Sequence, residues 1–148
     1  MIWTELTRLC YGIALAAHKG QLDKGGHPYI EHPLAVAKAM GNDEIAIAVA
    51  LLHDVFEDTE LTCDDLAKYP LSIPLEVLGS VLTLTHWKEN GRTYMEYIRH
   101  LKQDPVARKV KIADLKHNMD LSRLGREATE QDWSRYNRYK KALQELES

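Results

Sequence analysis

Apolar residues recur at the spacing of an α-helix along most of this chain. The first series consists of Ile2, Leu6, Leu9, Ile13 and Ala17. A later stripe, on a predicted third helix, consists of Ile45, Val49, Leu52, His53 and Phe56. This spacing predicts helices that turn one face to a core. No segment shows the two-residue alternation bounded by turn residues that indicates a strand, so the pattern predicts an all-α fold.

Capping residues and helix breakers divide the chain into about six to eight predicted helices. Glycine and proline mark a loop at 20–29, and Pro70 and Pro74 interrupt a later stretch. Thr62, followed three residues later by Asp65, has the pattern of a capping box. After the first helix, the predicted helices start near Glu31, at Asn42 or Asp43, at Thr62, at Pro74, at Thr93, at Asp104 and near Glu127, and the last ends near Leu146.

The size and composition of the chain limit its class. It has 148 residues, of which 45% are hydrophobic, so we expect one compact helical domain over residues 1–148. Its 19 basic and 22 acidic residues give a net charge of −3, which argues against a nucleic-acid partner. No apolar run approaches the ~20 residues that a membrane span needs, so we expect no membrane partner.

The cysteines and the first residues predict a cytoplasmic protein. Cys10 and Cys63 are far apart and neither belongs to a CxxC pair, so we expect free thiols in a reducing compartment. The opening MIWTELTRLC lacks the basic start and the long apolar stretch of a signal peptide. The sequence predicts no particular oligomeric state.

The segment LLHDVFEDT is the most informative part of the chain for chemistry. Its candidate residues are His53, Asp54, Glu57 and Asp58. On one helix these side chains would crowd a single quadrant, because residues three and four apart are neighbours. From Asp54 onward six acids occur before the next Lys or Arg. Their negative charges repel one another, and a bound divalent cation would compensate for this repulsion. The alternative is an acidic, solvated helix end.

Two further segments supply candidate metal ligands. His32 lies in PYIEHP, and Asp114 lies in the mostly apolar VKIADLKHN, where an unpaired carboxylate would be costly. With His53 and Asp54 they form a nitrogen and oxygen donor set, which suits Mn, Fe or Zn. The remaining histidines are expected on the surface or as hydrogen-bonded core residues: His18, His27, His86, His100 and His117.

Five motifs of this chain occur in the order found in the hydrolase domain of the Rel/Spo family, a branch of the HD superfamily. They are AHKGQ at 17–21, GGHPYIEHP at 25–33, ALLHDVFEDT at 50–59, LTH at 84–86 and VKIADLKHNM at 110–119. The chain resembles this family over most of its length. The resemblance implies an all-α HD-type fold and an Mn²⁺ ion held by His32, His53, Asp54 and Asp114.

The resemblance also implies a reaction. Family members remove the 3′-pyrophosphate from guanosine tetra- and pentaphosphate, so the expected partner is a small-molecule nucleotide. Glu57 and Asp58 match the acidic pair that orients or activates water, and Asn118 matches a residue that contacts the nucleoside. The chain leaves no room for the synthetase and regulatory domains of long members, so we expect a hydrolase-only protein.

Further substrate contacts are predicted from charge and position. Lys24 and Lys88 are candidates to neutralise the substrate phosphates; the alternative is that both are solvated loop lysines. Tyr29 is a candidate to line the pocket, although a structural aromatic fits that position too. The basic side chains of the last helix are expected to be solvated: Arg135, Arg138, Lys140 and Lys141.

One departure from the family keeps other functions open. Asp23 stands where the family carries an Arg that stacks on guanine, and an Asp offers no such surface. The alternative reaction is therefore that of an HD-type nucleotidase or phosphatase acting on another nucleotide or dinucleotide. A non-enzymatic nucleotide sensor is a third hypothesis, but the complete set of candidate ligands and acids argues against it.

Overall fold

Helices form the whole of the regular structure in the part of the chain that is described. The structure is a computed structural model that describes residues 1–68 and 73–148; Pro70 and the side chain of Lys88 lie outside that description. The α-helices are α1 (Glu5–Ala17), α2 (Glu31–Lys38), α3 (Glu44–Leu52), α4 (Val55–Asp58), α5 (Cys63–Leu66), α6 (Leu75–Leu84), α7 (Tyr94–Leu101), α8 (Pro105–Asn118) and α9 (Glu130–Glu147). Short 3₁₀ helices cover Lys88–Asn90 and Leu121–Leu124.

The predicted fold class is confirmed. Across the described ranges, β pairing is limited to an isolated bridge between Leu22 and Pro28 within the predicted loop. Among the described residues, α4 and α5 are single turns and seven α-helices are longer, which agrees with the prediction of about six to eight helices. In residues 1–68 and 73–148, no helix has both the length and the apolar character needed to cross a bilayer.

Most predicted helix starts are confirmed by their caps. The Asp43 side chain accepts a hydrogen bond of 3.1 Å from the Ala46 amide at the start of α3. Thr62 and Asp65 form the predicted reciprocal capping box. The last helix begins at Glu130 rather than near Glu127, because a further capping box, between Thr129 and Asp132, fixes its first turn.

Helix α3 lies at the centre of the fold. Every residue from Ala46 to Leu52 is fully buried, and α3 packs against α1, α2, α6 and α8. A helix that is apolar on all sides can be stable only when other helices cover it, and EIAIAVALL meets that description. The C-terminal end of this buried helix therefore has a fixed position in the molecule.

The prediction that one helix continues through Phe56 is wrong. Helix α3 ends at Leu52, His53 and Asp54 form a turn, and α4 starts at Val55. In a continuous helix the Ala50 carbonyl would accept from the Asp54 amide. Here the His53 side chain takes that carbonyl, with Nδ1 at 2.6 Å from the oxygen. The His53 side chain thus replaces the Asp54 amide as the donor, and α3 ends where the candidate metal ligands begin.

The buried position of α3 leads to a stability prediction. Leu51→Ala should lower the free energy of unfolding by about 2–5 kcal/mol, because Leu51 is fully buried and its removal leaves a cavity. Leu75→Ala is the matched control, because Leu75 is 85% exposed and its truncation should change stability by less than about 0.5 kcal/mol. Urea denaturation measures both. Equal losses in the two variants would contradict this account of the core.

Candidate active site

The four predicted metal ligands meet where α2, α8 and the end of α3 come together. His32 lies in the first turn of α2, and Asp114 lies in α8. His53 and Asp54 occupy the turn between α3 and α4. Three of these residues are only 3% exposed, and the side chain of Asp54 is 16% exposed. Segments far apart in sequence therefore place two imidazoles and two carboxylates at one point.

The donor atoms of the cluster are close together. His32 Nε2 lies 2.8 Å from Asp114 Oδ1 and 3.6 Å from Asp54 Oδ2. His53 Nε2 lies 3.1 Å from Asp54 Oδ2 and 3.4 Å from Asp114 Oδ1. Ligand atoms bound at about 2.1 Å to one ion lie roughly 3.0–3.4 Å apart in octahedral or tetrahedral geometry. His32, His53 and Asp114 form a group that could hold a metal ion, and the Asp54 oxygen lies at comparable distances.

The two imidazoles are oriented by bonds on their far sides. His53 Nδ1 donates to the Ala50 carbonyl, so its Nε2 presents a lone pair to the cluster. This buried Nε2 has no hydrogen-bond partner among the described residues, as expected for a metal ligand. His32 Nδ1 lies 2.7 Å from His117 Nδ1. Burial, and after it the charge of His32, lowers the pKa of His117 to about 4, so a neutral His117 can accept from His32.

Asp114 is held from several sides. Lys111 Nζ lies 2.8 Å from Asp114 Oδ2, and Asn118 Nδ2 donates to Asp114 Oδ1 at 3.1 Å. Burial alone would raise the pKa of this carboxyl, but Lys111 and the His32 hydrogen bond outweigh it and hold the pKa well below its usual value. Asp114 is therefore an anion in a buried position. The predicted nucleoside contact, Asn118, lies against a predicted metal ligand.

The predicted pocket residue Tyr29 contacts the cluster directly. Its hydroxyl donates to Asp54 Oδ2 at 2.6 Å. Burial and the Asp54 charge both raise the pKa of this phenol, so it stays protonated and keeps the carboxylate in place. Burial would raise the pKa of Asp54 as well, but His53 lowers it further than burial raises it. Tyr29 thus orients a cluster carboxylate from the cavity side.

The predicted acidic pair lies on α4, next to Asp54. Glu57 Oε1 accepts from the His86 amide, and Asp58 Oδ2 lies 3.4 Å from the Tyr29 hydroxyl. Partial burial and the nearby Asp54 charge raise the pKa values of both carboxyls. A carboxylate with a raised pKa is a better proton acceptor near neutral pH.

A cavity of about 800 Å³ opens in front of the cluster and the acidic pair. This volume is in the range of small-molecule sites. Asp54, Glu57, Asp58 and Asp114 line one side. The predicted substrate residues that line it are Lys24, Tyr29 and Asn118, whereas the side chain of Lys88 lies outside the described part of the chain.

The other side of the cavity is built by α7, α8 and α9. Its aromatic residues are Tyr94, Tyr97, Tyr136 and Tyr139, and its basic residues include Lys111, Arg135 and Arg138. The prediction that the basic face of the last helix is solvated is therefore wrong for Arg135, which is partly buried, whereas Arg138 lines the cavity and is exposed. Lys140 and Lys141 are exposed, but α9 packs along α8 and so brings the two arginines to the cavity.

Asp23, the departure from the family pattern, connects two edges of the cavity. Its carboxylate accepts from the amides of Gly25 and His27 at 2.9 Å, and it forms an ion pair of 2.8 Å with Arg123. These contacts outweigh the effect of burial and lower the pKa of Asp23. A Cβ atom on Gly25 would lie 2.1 Å from the Arg123 carbonyl oxygen, so only glycine fits there. Asp23 fastens the 20–28 loop to the 3₁₀ helix Leu121–Leu124.

Sequence reasoning missed two side chains that support the cluster. Lys111 and His117 lie three residues before and after Asp114 on α8, so they share its face. This spacing could have identified both. Both His86 and His117 were expected on the surface or in the core. In the structure His86 lines the cavity, and His117 contacts His32.

Comparisons with known proteins indicate what this chain is similar to. No family model matches the sequence. A guanosine-3′,5′-bis(diphosphate) 3′-pyrophosphohydrolase from Vibrio cholerae is 34% identical over 124 residues, which cover 78% of this chain and 18% of that protein. A GTP pyrophosphokinase from Myxococcus xanthus is 32% identical over 127 residues, covering 78% of this chain and 17% of the relative. The chain spans less than a fifth of the length of these relatives.

A solved structure matches nearly the whole fold. It is described as a metazoan ortholog of SpoT that hydrolyses ppGpp, and it superposes with a TM-score of 0.74 at 25% identity. The match covers 99% of this chain and 87% of that one. This match identifies the all-α fold as that of an HD-type domain. More narrowly, the chain resembles the hydrolase domain of the Rel/Spo proteins, as the motifs predicted.

The contact between His32 and His117 generates a prediction about metal affinity. His117→Ala removes the group that orients His32 Nδ1, and such losses typically weaken metal binding by about 10–100-fold. His100→Ala is the matched control, because His100 is exposed and does not belong to the cluster. Competition titration with Mn²⁺ and Zn²⁺ measures both variants. Unchanged affinity in His117→Ala would show that this contact does not position the cluster.

Proposed function

We propose that the chain is a metal-dependent hydrolase that removes the 3′-pyrophosphate from guanosine tetra- and pentaphosphate. The observation that carries the proposal is the buried cluster of two imidazoles and two carboxylates, with an acidic pair beside it and basic side chains across the cavity. The Vibrio cholerae relative is named for this reaction, and the metazoan protein is described as hydrolysing ppGpp. These names favour guanosine polyphosphate over the alternative of another nucleotide.

His32, His53, Asp54 and Asp114 would hold the metal. We propose Mn²⁺, because imidazole and carboxylate donors suit this ion and thiolates are missing from the set. A divalent ion there would act as a Lewis acid that lowers the pKa of a coordinated water and polarises a phosphoryl oxygen.

The acidic pair would handle the proton of the attacking water. The Glu57 Oε1 atom is occupied by the His86 amide, which leaves Oε2 as the proton acceptor. Asp58, held near the Tyr29 hydroxyl, would orient the water on the same side of Asp54. The water oxygen would form a new bond to the phosphorus next to the ribose, while the bond between that phosphorus and the ribose 3′ oxygen breaks. The 3′ oxygen would take up a proton to become a hydroxyl, and pyrophosphate would leave.

Other predicted residues would bind the nucleotide. Lys24 would neutralise phosphate charge from the 20–28 loop, and we propose the same role for Lys88. Asn118 would contact the nucleoside, and Tyr29 would fix Asp54 while lining the cavity.

The proposal also covers the domain organisation, the partners and the cellular location of the protein. We propose a single domain over residues 1–148 that acts on a nucleotide, without a nucleic-acid or membrane partner. A cytoplasmic location is supported by the free thiols of Cys10 and Cys63, since unpaired cysteines are typical of a reducing compartment.

Removal of one cluster carboxylate tests the metal assignment. Asp54→Ala should lose both bound metal and hydrolysis, because Asp54 Oδ2 lies within 3.6 Å of both imidazole nitrogens. Asp64→Ala is the matched control, because Asp64 belongs to the same acidic stretch but is exposed. Metal content by mass spectrometry and product analysis with guanosine tetraphosphate measure the two effects. Full metal content and activity in Asp54→Ala would remove this ligand from the proposal.

Removal of the proposed proton acceptor separates binding from chemistry. Glu57→Gln should keep its metal but lose about 100-fold or more in kcat, because the amide cannot accept a proton. Glu60→Gln, an exposed neighbour three residues later, should behave as the unaltered protein. Steady-state kinetics with guanosine tetraphosphate, together with metal analysis, measures both variants. A kcat within twofold of the unaltered protein would exclude Glu57 as the base.

A further inference from the structure

Three polar side chains on the far wall of the cavity have no part in the reaction proposed above. His86 follows α6, Tyr94 opens α7, and Arg138 lies in α9. All three line the same cavity as the acidic pair. Each of them can donate a hydrogen bond, and no acceptor for these donors occurs among the described residues.

The Arg138 guanidinium lies over two aromatic rings. Its Cζ atom lies 5.2 Å from the Tyr94 ring centroid and 5.4 Å from the Tyr139 centroid. Its neighbour Arg135 is paired with Asp132, whereas Arg138 forms no ion pair with the described side chains. A guanidinium held near rings by cation–π contacts keeps its N–H groups free, and those groups match the oxygens of a phosphate.

Two buried polar atoms on the same wall of the cavity also lack partners. Tyr94 Oη and His86 Nε2 are shielded from solvent, and no hydrogen-bond partner for either occurs among the described residues. Buried polar atoms in folded proteins are nearly always paired, because an unpaired one loses its hydration without compensation. Both residues line the cavity, so a bound molecule can supply the missing acceptors.

These groups form one continuous surface that reaches the metal cluster. The His86 ring stacks on Tyr97 at 4.6 Å, and the Tyr94 ring lies 5.8 Å from Tyr97. Lys111 Nζ lies 5.6 Å from the Tyr97 centroid and bonds to Asp114 at 2.8 Å. A ligand on this surface therefore occupies the same cavity as a phosphoryl group placed at the cluster.

We propose that Arg138, Tyr94 and His86 form a second phosphate subsite, which binds a phosphate group other than the one that reacts. The surface offers mainly donors, whereas carboxylates line the opposite side of the cavity and repel anions that lack a metal. On the proposed function, on which this inference rests, the 3′ group reacts at the cluster. The subsite then holds the 5′-diphosphate and selects nucleotides that carry two phosphorylated positions.

Binding without turnover tests the subsite directly. The probe is guanosine 5′-diphosphate, which lacks the reacting 3′ group, titrated by calorimetry into the Mn²⁺-loaded protein, so that the cluster carboxylates are neutralised equally in every variant. Arg138→Gln should raise its Kd about tenfold or more, and Tyr94→Phe should raise it about threefold to tenfold. Arg138→Lys should recover part of the affinity. Lys141→Gln, an exposed cation one turn of α9 from the site, should bind as the unaltered protein does.

The outcomes separate the subsite from the proposed reaction. Unchanged Kd values in Arg138→Gln and Tyr94→Phe, with thermal melting showing folded proteins, would overturn the subsite. Binding of guanosine 5′-diphosphate no tighter than that of guanosine would overturn it as well. With guanosine tetraphosphate and Mn²⁺, Arg138→Gln should raise KM about tenfold while kcat stays within twofold. If the unaltered protein binds the diphosphate through Arg138 but hydrolyses no guanosine tetraphosphate, the subsite stands and the proposed reaction fails.

Discussion

Two carboxylates, Asp54 and Asp114, lie against the same pair of imidazoles in a nearly dry part of the protein. Neighbouring groups must compensate for this buried negative charge. Lys111 compensates part of it from within α8. Burial lowers the pKa of His53, but the two carboxylates raise it further, so the net pKa lies above its usual value. A proton and a divalent ion therefore compete for His53 Nε2, and the ion satisfies more of the negative charge.

The position of this cluster follows from the packing of α3. A helix of fully buried apolar residues cannot shift without opening the core, so its C-terminal end is a rigid support. The His53 ring ends the helix by bonding to the Ala50 carbonyl, and the same bond aims its other nitrogen at the cluster. The His53 side chain thus connects the buried helix α3 to the candidate metal site.

Much of the site could be predicted because its signals are local. The caps at Asp43 and Thr62 depend on residues three positions apart, and the HD motifs mark all four cluster side chains. The end of α3 at His53 could not be predicted, because it depends on which donor takes one carbonyl oxygen. The cavity side of α9 was missed because helical periodicity shows a basic face but not the neighbour that it meets; Arg138 reaches the cavity only through packing of α9 on α8.

The central claim is that these four side chains bind one divalent ion. The most direct measurement is anomalous diffraction at the manganese absorption edge from crystals grown with Mn²⁺. The account predicts one strong anomalous peak at about 2.0–2.3 Å from the Nε2 atoms of His32 and His53 and from carboxylate oxygens of Asp54 and Asp114. A fully occupied manganese site elsewhere, with no peak among these four residues at saturating Mn²⁺, would contradict it.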